Sequence, residues 1–276
     1  MSKTQKVIYY IVVSVIGFLW AFPFIWMINA SFSTQEVIFS LPPKLGDLFT
    51  SSHPFRNYIQ VLTEYNFFRY MLNTAFVTIS ASVGQLITCS MAGFAFARME
   101  FRGKNVLFGL FLMTMSVPIQ VVIIPEFLLM MHLGWLDTWL PLIIPSIFVG
   151  SLGTFLMRTF FENIPQEIED SAIVDGAGPL RLYWNVFLPQ AKTPLITLFI
   201  LAFITNWNQL LRPILYINSR SLMTLPMALT QFQSQYEAEW HLLLTGSVIT
   251  VVPLIVLYIF LQRYVIRGMA RVGIKG

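Results

Sequence analysis

Residues 70–97 read YMLNTAFVTISASVGQLITCSMAGFAFA, without one Asp, Glu, Lys or Arg. A helix needs about 20 mostly apolar residues to cross the hydrocarbon core of a bilayer, and this run exceeds that length. Working outward, further uncharged runs occupy 7–35, 105–125, 138–157, 193–211 and 242–262. With their flanks these predict six transmembrane helices at about 7–31, 70–97, 105–131, 138–158, 193–217 and 241–262. The expected fold is therefore all-α: one polytopic membrane domain over 1–276, with a loop of helix-turn-helix character at about 159–192. The first run is too long for a signal-peptide core. The small residues around Asn29 to Ser33 could pass for a cleavage site, but a retained anchor is the preferred reading.

Composition agrees. The chain is 56% hydrophobic and 11% charged, with a mean hydropathy of +0.70, where a soluble domain devotes about a quarter of its residues to charge. The net charge of +4 is read as basic residues on cytoplasmic loops, not as a nucleic-acid surface. Cys89 is alone, which excludes a disulfide within the chain. His53, His132 and His241 are scattered without an H-E-x-x-H pair, so no metal site is expected. Gly103-Lys104 is followed by Asn105 and preceded at the required position by Arg98, so it is no phosphate-binding loop. No catalytic residue is expected.

Orientation follows from the basic residues. With a cytoplasmic N-terminus, the inner segments hold Lys3, Lys6, Arg98, Arg102, Lys104, Arg158, Arg181, Lys192, Arg263, Arg267, Arg271 and Lys275. Lys44, Arg56, Arg69, Arg212 and Arg220 fall outside or near the outer face. The bias favours both termini in the cytoplasm. The long outer loop then carries Pro42-Pro43 and a short interfacial helix near 55–62. A second outer segment, 218–240, ends in Glu237, Glu239 and Trp240.

The longest inner loop contains Ile164-Pro165-Gln166-Glu167-Ile168-Glu169-Asp170-Ser171-Ala172-Ile173-Val174-Asp175-Gly176-Ala177-Gly178-Pro179. Pro165 suits a first helical turn, and the acidic residues behind it complement the helix dipole. Gly176 and Gly178 permit a left-handed turn, and Pro179 prevents simple continuation. An amphipathic stretch follows to Leu188 and is closed by Pro189. On pattern alone, a knob for a partner and an ordinary interfacial loop stay equally open.

This stretch resembles the EAA loop of permeases in binding-protein-dependent ABC importers: E-A-A, three residues, Gly, nine residues, then I-x-L-P. Here Asp170-Ser171-Ala172, Gly176 and Val186-Phe187-Leu188-Pro189 keep that spacing. Asp170 and Ser171 depart from the opening letters, and Glu169 stands ready to substitute for the shortened acid. Ala92-Gly93-Phe94-Ala95-Phe96-Ala97-Arg98 resembles the A-Y-A-F-A-R segment of maltose-type permeases. Tyr70-Met71-Leu72-Asn73-Thr74, Trp207-Asn208 and the ending Gly273-Ile274-Lys275-Gly276 are similar too, whereas Arg212 departs. The likeness is to the second permease subunit of carbohydrate importers.

The resemblance implies a homologous second permease, two ATPase subunits or a homodimer of them, and an extracytoplasmic solute-binding protein, assembled in a bacterial inner membrane. It implies no cofactor in this chain, with ATP and Mg held by the ATPase. Coupling would fall to Glu169, Asp170, Ser171, Ala172, Asp175, Gly176, Leu188 and Pro189. The cargo would be a carbohydrate, with an anionic sugar, uronate oligosaccharide or glycerol phosphate as the alternative.

From the residues themselves, Thr205, Asn208, Gln209, Arg212 and Tyr216 fall on one face of the expected fifth span, and Trp207 joins them as a pathway candidate. Polar groups facing lipid are costly, so this face should meet protein or a water-filled path. Asn and Gln also glue packed helices, and that reading stays open. Along straight helices, Arg212 and Glu126 both fall roughly 30 Å from the inner ends of their spans. Arg212 can then pair with Glu126, snorkel, or contact cargo. An ion-coupled carrier is the remaining class, and Glu126 is the one intramembrane carboxylate it could use.

Overall fold

The structure, a computed structural model, describes residues 2–40, 54–148, 150–233 and 238–273, with side chains of the last helix described to 263. Pro42, Pro43, Lys44, His53, Glu237 and the ending 274–276, including Lys275, lie outside the described residues, as do the side chains of Arg267 and Arg271.

The chain forms α1 (Lys3–Ser31), α2 (Gln35–Ile38), α3 (Arg56–Thr63), α4 (Phe67–Arg98) and α5 (Lys104–Met113). Next come α6 (Ile119–His132), α7 (Leu140–Phe148), α8 (Ser151–Glu162), α9 (Gln166–Val174) and α10 (Pro179–Arg181). α11 (Leu188–Gln190), α12 (Lys192–Trp207), α13 (Leu211–Tyr216), α14 (Leu225–Leu229) and α15 (Trp240–Gly273) complete it. Among the described residues, extended pairing is limited to an isolated bridge between Gln233 and Ala238. Four stretches are long and apolar enough to span a membrane: Lys3–Ser31, Phe67–Arg98, Leu140–Glu162 and Trp240–Arg263. Two bent pairs raise the number to six if each counts as one span.

The first pair departs from the straight helix expected at 105–131, and the span expected at 193–217 is divided between α12 and α13. The first bends by 100° between Ser116 and Ile119. Pro118 lacks an N–H and disfavours helical backbone at the residue before it, and Val117 is accordingly extended (φ −85°, ψ 112°). In the second, Pro179–Gln190 meets α12 at 81°, and α12 itself stops at Trp207. Pro213 cannot donate to the carbonyl four residues back and crowds it, which disfavours carrying one helix through Gln209. Counting rise along straight helices to place Glu126 and Arg212 is thereby invalid.

Close contacts divide the chain into two compact units, Met1–Met71 with Leu225–Pro253, and Leu72–Thr224 with Leu254–Gly276. In the first, α1 leaves its apolar middle uncovered by protein, and Trp20 is 77% exposed. Lipid is the medium that suits such a surface. Only the end of α1 is packed: Asn57 Nδ2 donates to the Ser31 and Ser33 carbonyls (2.9 Å each), and Thr245 Oγ1 donates to the Ser31 carbonyl (3.0 Å). Gln35 Nε2 donates to the Ala238 carbonyl (2.7 Å). Phe67 stacks on Phe232 at 5.4 Å.

The second unit is centred on Cys89, Phe94, Met157, Phe161, Tyr183, Phe187 and Leu198, which join α4, α8, the 182–187 turn and α12. Gly93 makes the α4–α8 approach possible. A Cβ there would lie 2.6 Å from Met157 Cβ and 2.9 Å from the Arg158 nitrogen. Tyr183 OH and Ser90 Oγ are hydrogen-bonded at 2.7 Å. Asp137, at φ +57°, accepts from the Asn218 and Ser219 amides (3.0 and 2.8 Å) and from the Ser219 hydroxyl. The Asp137 amide in turn donates to the Tyr216 carbonyl at 2.7 Å, which ties the α6–α7 connection to the end of α13.

Candidate functional site

The hairpin from Pro165 to Gln190 is built much as its residues dictate. Pro165 caps α9, with Glu167 and Glu169 in the first turn. Gly176 takes φ +79°, and the Ala177 amide reaches back to the Ala172 carbonyl at 2.9 Å. Gly178 precedes Pro179, which opens the return arm. That arm loosens into a π-helical turn over Leu182–Phe187, which places Leu182, Tyr183 and Phe187 in the core. The hairpin as a whole keeps apolar side chains bare near its turn: Ile173 is 51% and Val174 87% exposed at the end of α9, and Leu180 69% at the start of the return arm.

The eight coupling candidates divide by burial. Asp170, Ser171, Asp175, Gly176 and Pro189 are exposed, whereas Ala172 and Leu188 are half-buried. Asp170 accepts from Gln166 Nε2 at 3.2 Å. Glu169 differs from the expectation that it could stand in for Asp170 at a partner. Its side chain is 10% exposed and is turned inward onto Arg98 at 3.2 Å. The reason is helical register: Glu169 and Ala172 share the inner side of α9, and Asp170 points away.

Arg98 is a candidate functional residue that the sequence does not single out: it stands among the inner-face cations and closes the A-F-A-R segment, with no role attached. The A-F-A-R segment was the available signal, but nothing in it foretold the acceptors gathered around this guanidinium.

The polar residues of 205–216 do not form the continuous stripe expected of one helix, because α12 and α13 are separate. Thr205 Oγ1 and Asn208 Nδ2 are exposed and donate to carbonyls of their own helix, Leu201 (2.9 Å) and Ile204 (2.8 Å). Trp207 is 2% exposed and stacks on Phe203 at 5.3 Å, so it is packed in the interior. Gln209 is half-buried and lines a cramped internal cavity with Thr74, Thr78, Asn206 and Thr224. Asn206 was missed: it is buried, donating to the Ala202 carbonyl (2.9 Å) and to Ser82 Oγ (3.4 Å).

Arg212 Nη2 donates to Glu126 Oε2 at 3.0 Å, with side chains 12% and 13% exposed. Arg212 is thus paired with Glu126, while Arg212 Nε and Glu126 Oε1 are buried without a hydrogen-bond partner among the described residues. The fully buried Tyr216 stacks on Phe127 at 6.1 Å. Among the described residues, no group of His, Cys, Asp and Glu could hold a metal ion.

Known proteins bear on this geometry. Residues 85–271 match the family described as binding-protein-dependent transport system inner membrane component. The chain is 32% identical to the arabinooligosaccharides transport system permease protein AraQ of Halalkalibacterium halodurans, over 95% of this chain and 93% of that one. It is 30% identical to the probable ABC transporter permease protein YurM of Bacillus subtilis (93% and 84%). Identity is 31% to the sn-glycerol-3-phosphate transport system permease protein UgpE of Yersinia pestis (72% and 71%). In fold it is similar to a chain of a bacterial ABC transporter involved in the import of the acidic polysaccharide alginate, with a TM-score of 0.80, 24% identity, and 96% and 98% of the two chains covered. The apolar spans, the hairpin and these matches make one conclusion: this chain belongs to the binding-protein-dependent transport system inner membrane components, the non-catalytic permease subunits of ABC transporters.

Proposed function

We propose that the chain forms half of the path by which a neutral oligosaccharide enters the cell, beside a homologous permease, with two ATPase subunits beneath and an external binding protein delivering cargo. Both termini and the 165–190 hairpin lie in the cytoplasm in this reading, and ATP and Mg sit on the ATPase alone. Asp170, Ser171, Asp175 and Gly176 meet the ATPase, Ala172 allows close approach, and Leu188-Pro189 close the return arm. Glu169 serves from inside the hairpin. When ATP draws the ATPase halves together, the hairpin is carried along and the helices behind it open the path to the outside.

The observation that carries this proposal is the hairpin's bare apolar side, Ile173, Val174 and Leu180 flanked by Asp170 and Asp175. Apolar surface clustered at a polar turn favours burial against another protein. The neutral cargo rests on Arg212: its charge is matched by Glu126, so the pair offers an anion no net attraction. The arabinooligosaccharide relative is in line with that choice. Thr205, Asn208 and Gln209 remain available to hydroxyl-rich cargo, while Trp207 and Tyr216 shape the wall from within.

Proteoliposomes holding the assembled complex test the proposal. Loaded binding protein and ATP should together drive uptake of arabino-oligosaccharide, and sn-glycerol 3-phosphate should not compete. Uptake by this chain without the ATPase would overturn it.

A further inference from the structure

Arg98 ends α4, and its guanidinium has five N–H donors in a planar fork. Each finds an acceptor. Nε and Nη2 donate to the Phe161 carbonyl (3.1 and 2.6 Å), and Nη2 donates also to the Ile164 carbonyl. Nη1 donates to Gln166 Oε1 (2.8 Å) and to Glu169 Oε2 (3.2 Å). The Arg98 and Glu169 side chains are 9% and 10% exposed, and the Phe187 ring lies 5.1 Å from the guanidinium carbon.

The acceptors come from three consecutive pieces of chain: the last turn of α8, the 163–165 connection, and the first turn of α9. That connection enters the apolar core through a single side chain, Ile164, which is 7% exposed. The return arm is held by Leu182, Tyr183 and Phe187 in the apolar core, whereas α9 reaches that core only with the half-buried Ala172. Apolar contacts resist separation but tolerate sliding. A bidentate or multidentate guanidinium fixes angle as well as distance.

We infer that Arg98 is a positioning residue for energy coupling: it locks α9 to the end of α4, so that displacement of the hairpin is delivered to α4 and not absorbed at 163–165. The inference rests on the permease reading above. It assigns the acidic residue Glu169 an internal anchoring task distinct from contact with the ATPase.

The test uses the whole complex in proteoliposomes, with the Arg98→Lys and Glu169→Gln variants beside the unaltered chain. Lysine keeps the charge but offers one ammonium where a five-donor fork stood. Glutamine keeps an acceptor and loses the ion pair. Two quantities are read: ATPase co-purified with the permease, and ATP hydrolysed per oligosaccharide imported. The expected result is full co-purification with a hydrolysis-to-import ratio raised roughly fivefold or more in Arg98→Lys, the low end of measured coupling between sites, and raised less in Glu169→Gln.

A ratio within about twofold of the unaltered complex in Arg98→Lys would overturn the inference, since that is below any useful coupling term. Loss of ATPase from Arg98→Lys would overturn it as well, by showing that Arg98 merely shapes the docking surface. Failure of the permease reading is distinguishable, because the unaltered chain would then neither retain an ATPase nor import.

Discussion

Replacing Gly93 by alanine tests the packing on which the hairpin's placement depends. The new Cβ would stand 2.6 Å from Met157 Cβ and 2.9 Å from the Arg158 nitrogen. Neither atom can be cleared by changing a rotamer, because both are fixed to the α8 main chain. The helices must separate, and overpacking of this kind costs about 3 kcal/mol at the upper end of its usual range. Alanine returns up to about 1 kcal/mol through its better helix propensity. The net loss of about 2 kcal/mol corresponds to a fall of roughly 4–8 °C in Tm for a domain of this size. Gly109→Ala is the matched control, since that glycine is also inside a helix and a Cβ there meets nothing within 4 Å. Thermal unfolding of both variants in one detergent should lower Tm for Gly93→Ala and leave it level or slightly raised for Gly109→Ala. Equal shifts in the two variants would refute the close approach of α4 and α8.

Three further outcomes follow from named contacts. Removing either member of the Arg212–Glu126 pair strands a charge that is 12–13% exposed, so Arg212→Leu and Glu126→Gln should each destabilise by about 3 kcal/mol, the low end for a buried pair. The double replacement should recover part of that loss in a Tm cycle, and additive losses would refute the pair. Gly176 holds φ +79°, so Gly176→Ala should cost about 1–2 kcal/mol from left-handed backbone, with Gly176→Asn milder; equal Tm values for both and the unaltered chain would contradict this. The Ser219 hydroxyl, then the Ser219 and Asn218 amides, hold the Asp137 carboxyl below its ordinary 3.8. A lowered carboxyl pKa stabilises fully above that ordinary value and is lost as pH falls through the lowered one. The Tm advantage of the unaltered chain over Asp137→Asn should therefore be steady from neutral pH to about pH 4 and shrink below it. A difference that does not change with pH would refute the carboxylate cap.

What the sequence displayed, and what it concealed, divides along physical lines. The uncharged runs showed their length and apolarity directly, and residues 163–190 carried their own turn chemistry, so α9, Gly176 and Pro179 were found where expected. Direction was harder. Uncharged residues on both sides of Pro118 read as one span, and the 100° bend there arises from a missing N–H whose effect depends on what packs nearby. The break at 208–210 was hidden for the same reason at Pro213, and with it the idea of one polar stripe from Thr205 to Tyr216 failed. Glu126 and Arg212 were suspected partners from depth, and they do pair, although the straight-helix count behind that suspicion does not hold. Arg98 was concealed most completely, since two of its four acceptors are the Phe161 and Ile164 backbone carbonyls, which carry no residue-type signature, and the other two lie 68 and 71 residues on. Glu169 and Asp170, adjacent acids in sequence, separate into an inner anchor and an outer contact only once α9 has a buried side.

Labelling of one engineered thiol reaches the central claim directly. Val174, 87% exposed at the end of α9, is changed to cysteine; the native Cys89 is 2% exposed and should stay unreactive. A membrane-impermeant maleimide is applied to sealed vesicles of either orientation, with the ATPase bound or stripped. The account predicts labelling in inside-out vesicles stripped of ATPase, protection when the ATPase is restored, and no labelling in right-side-out vesicles. Labelling from the outer side, or equal labelling with and without the ATPase, would contradict it.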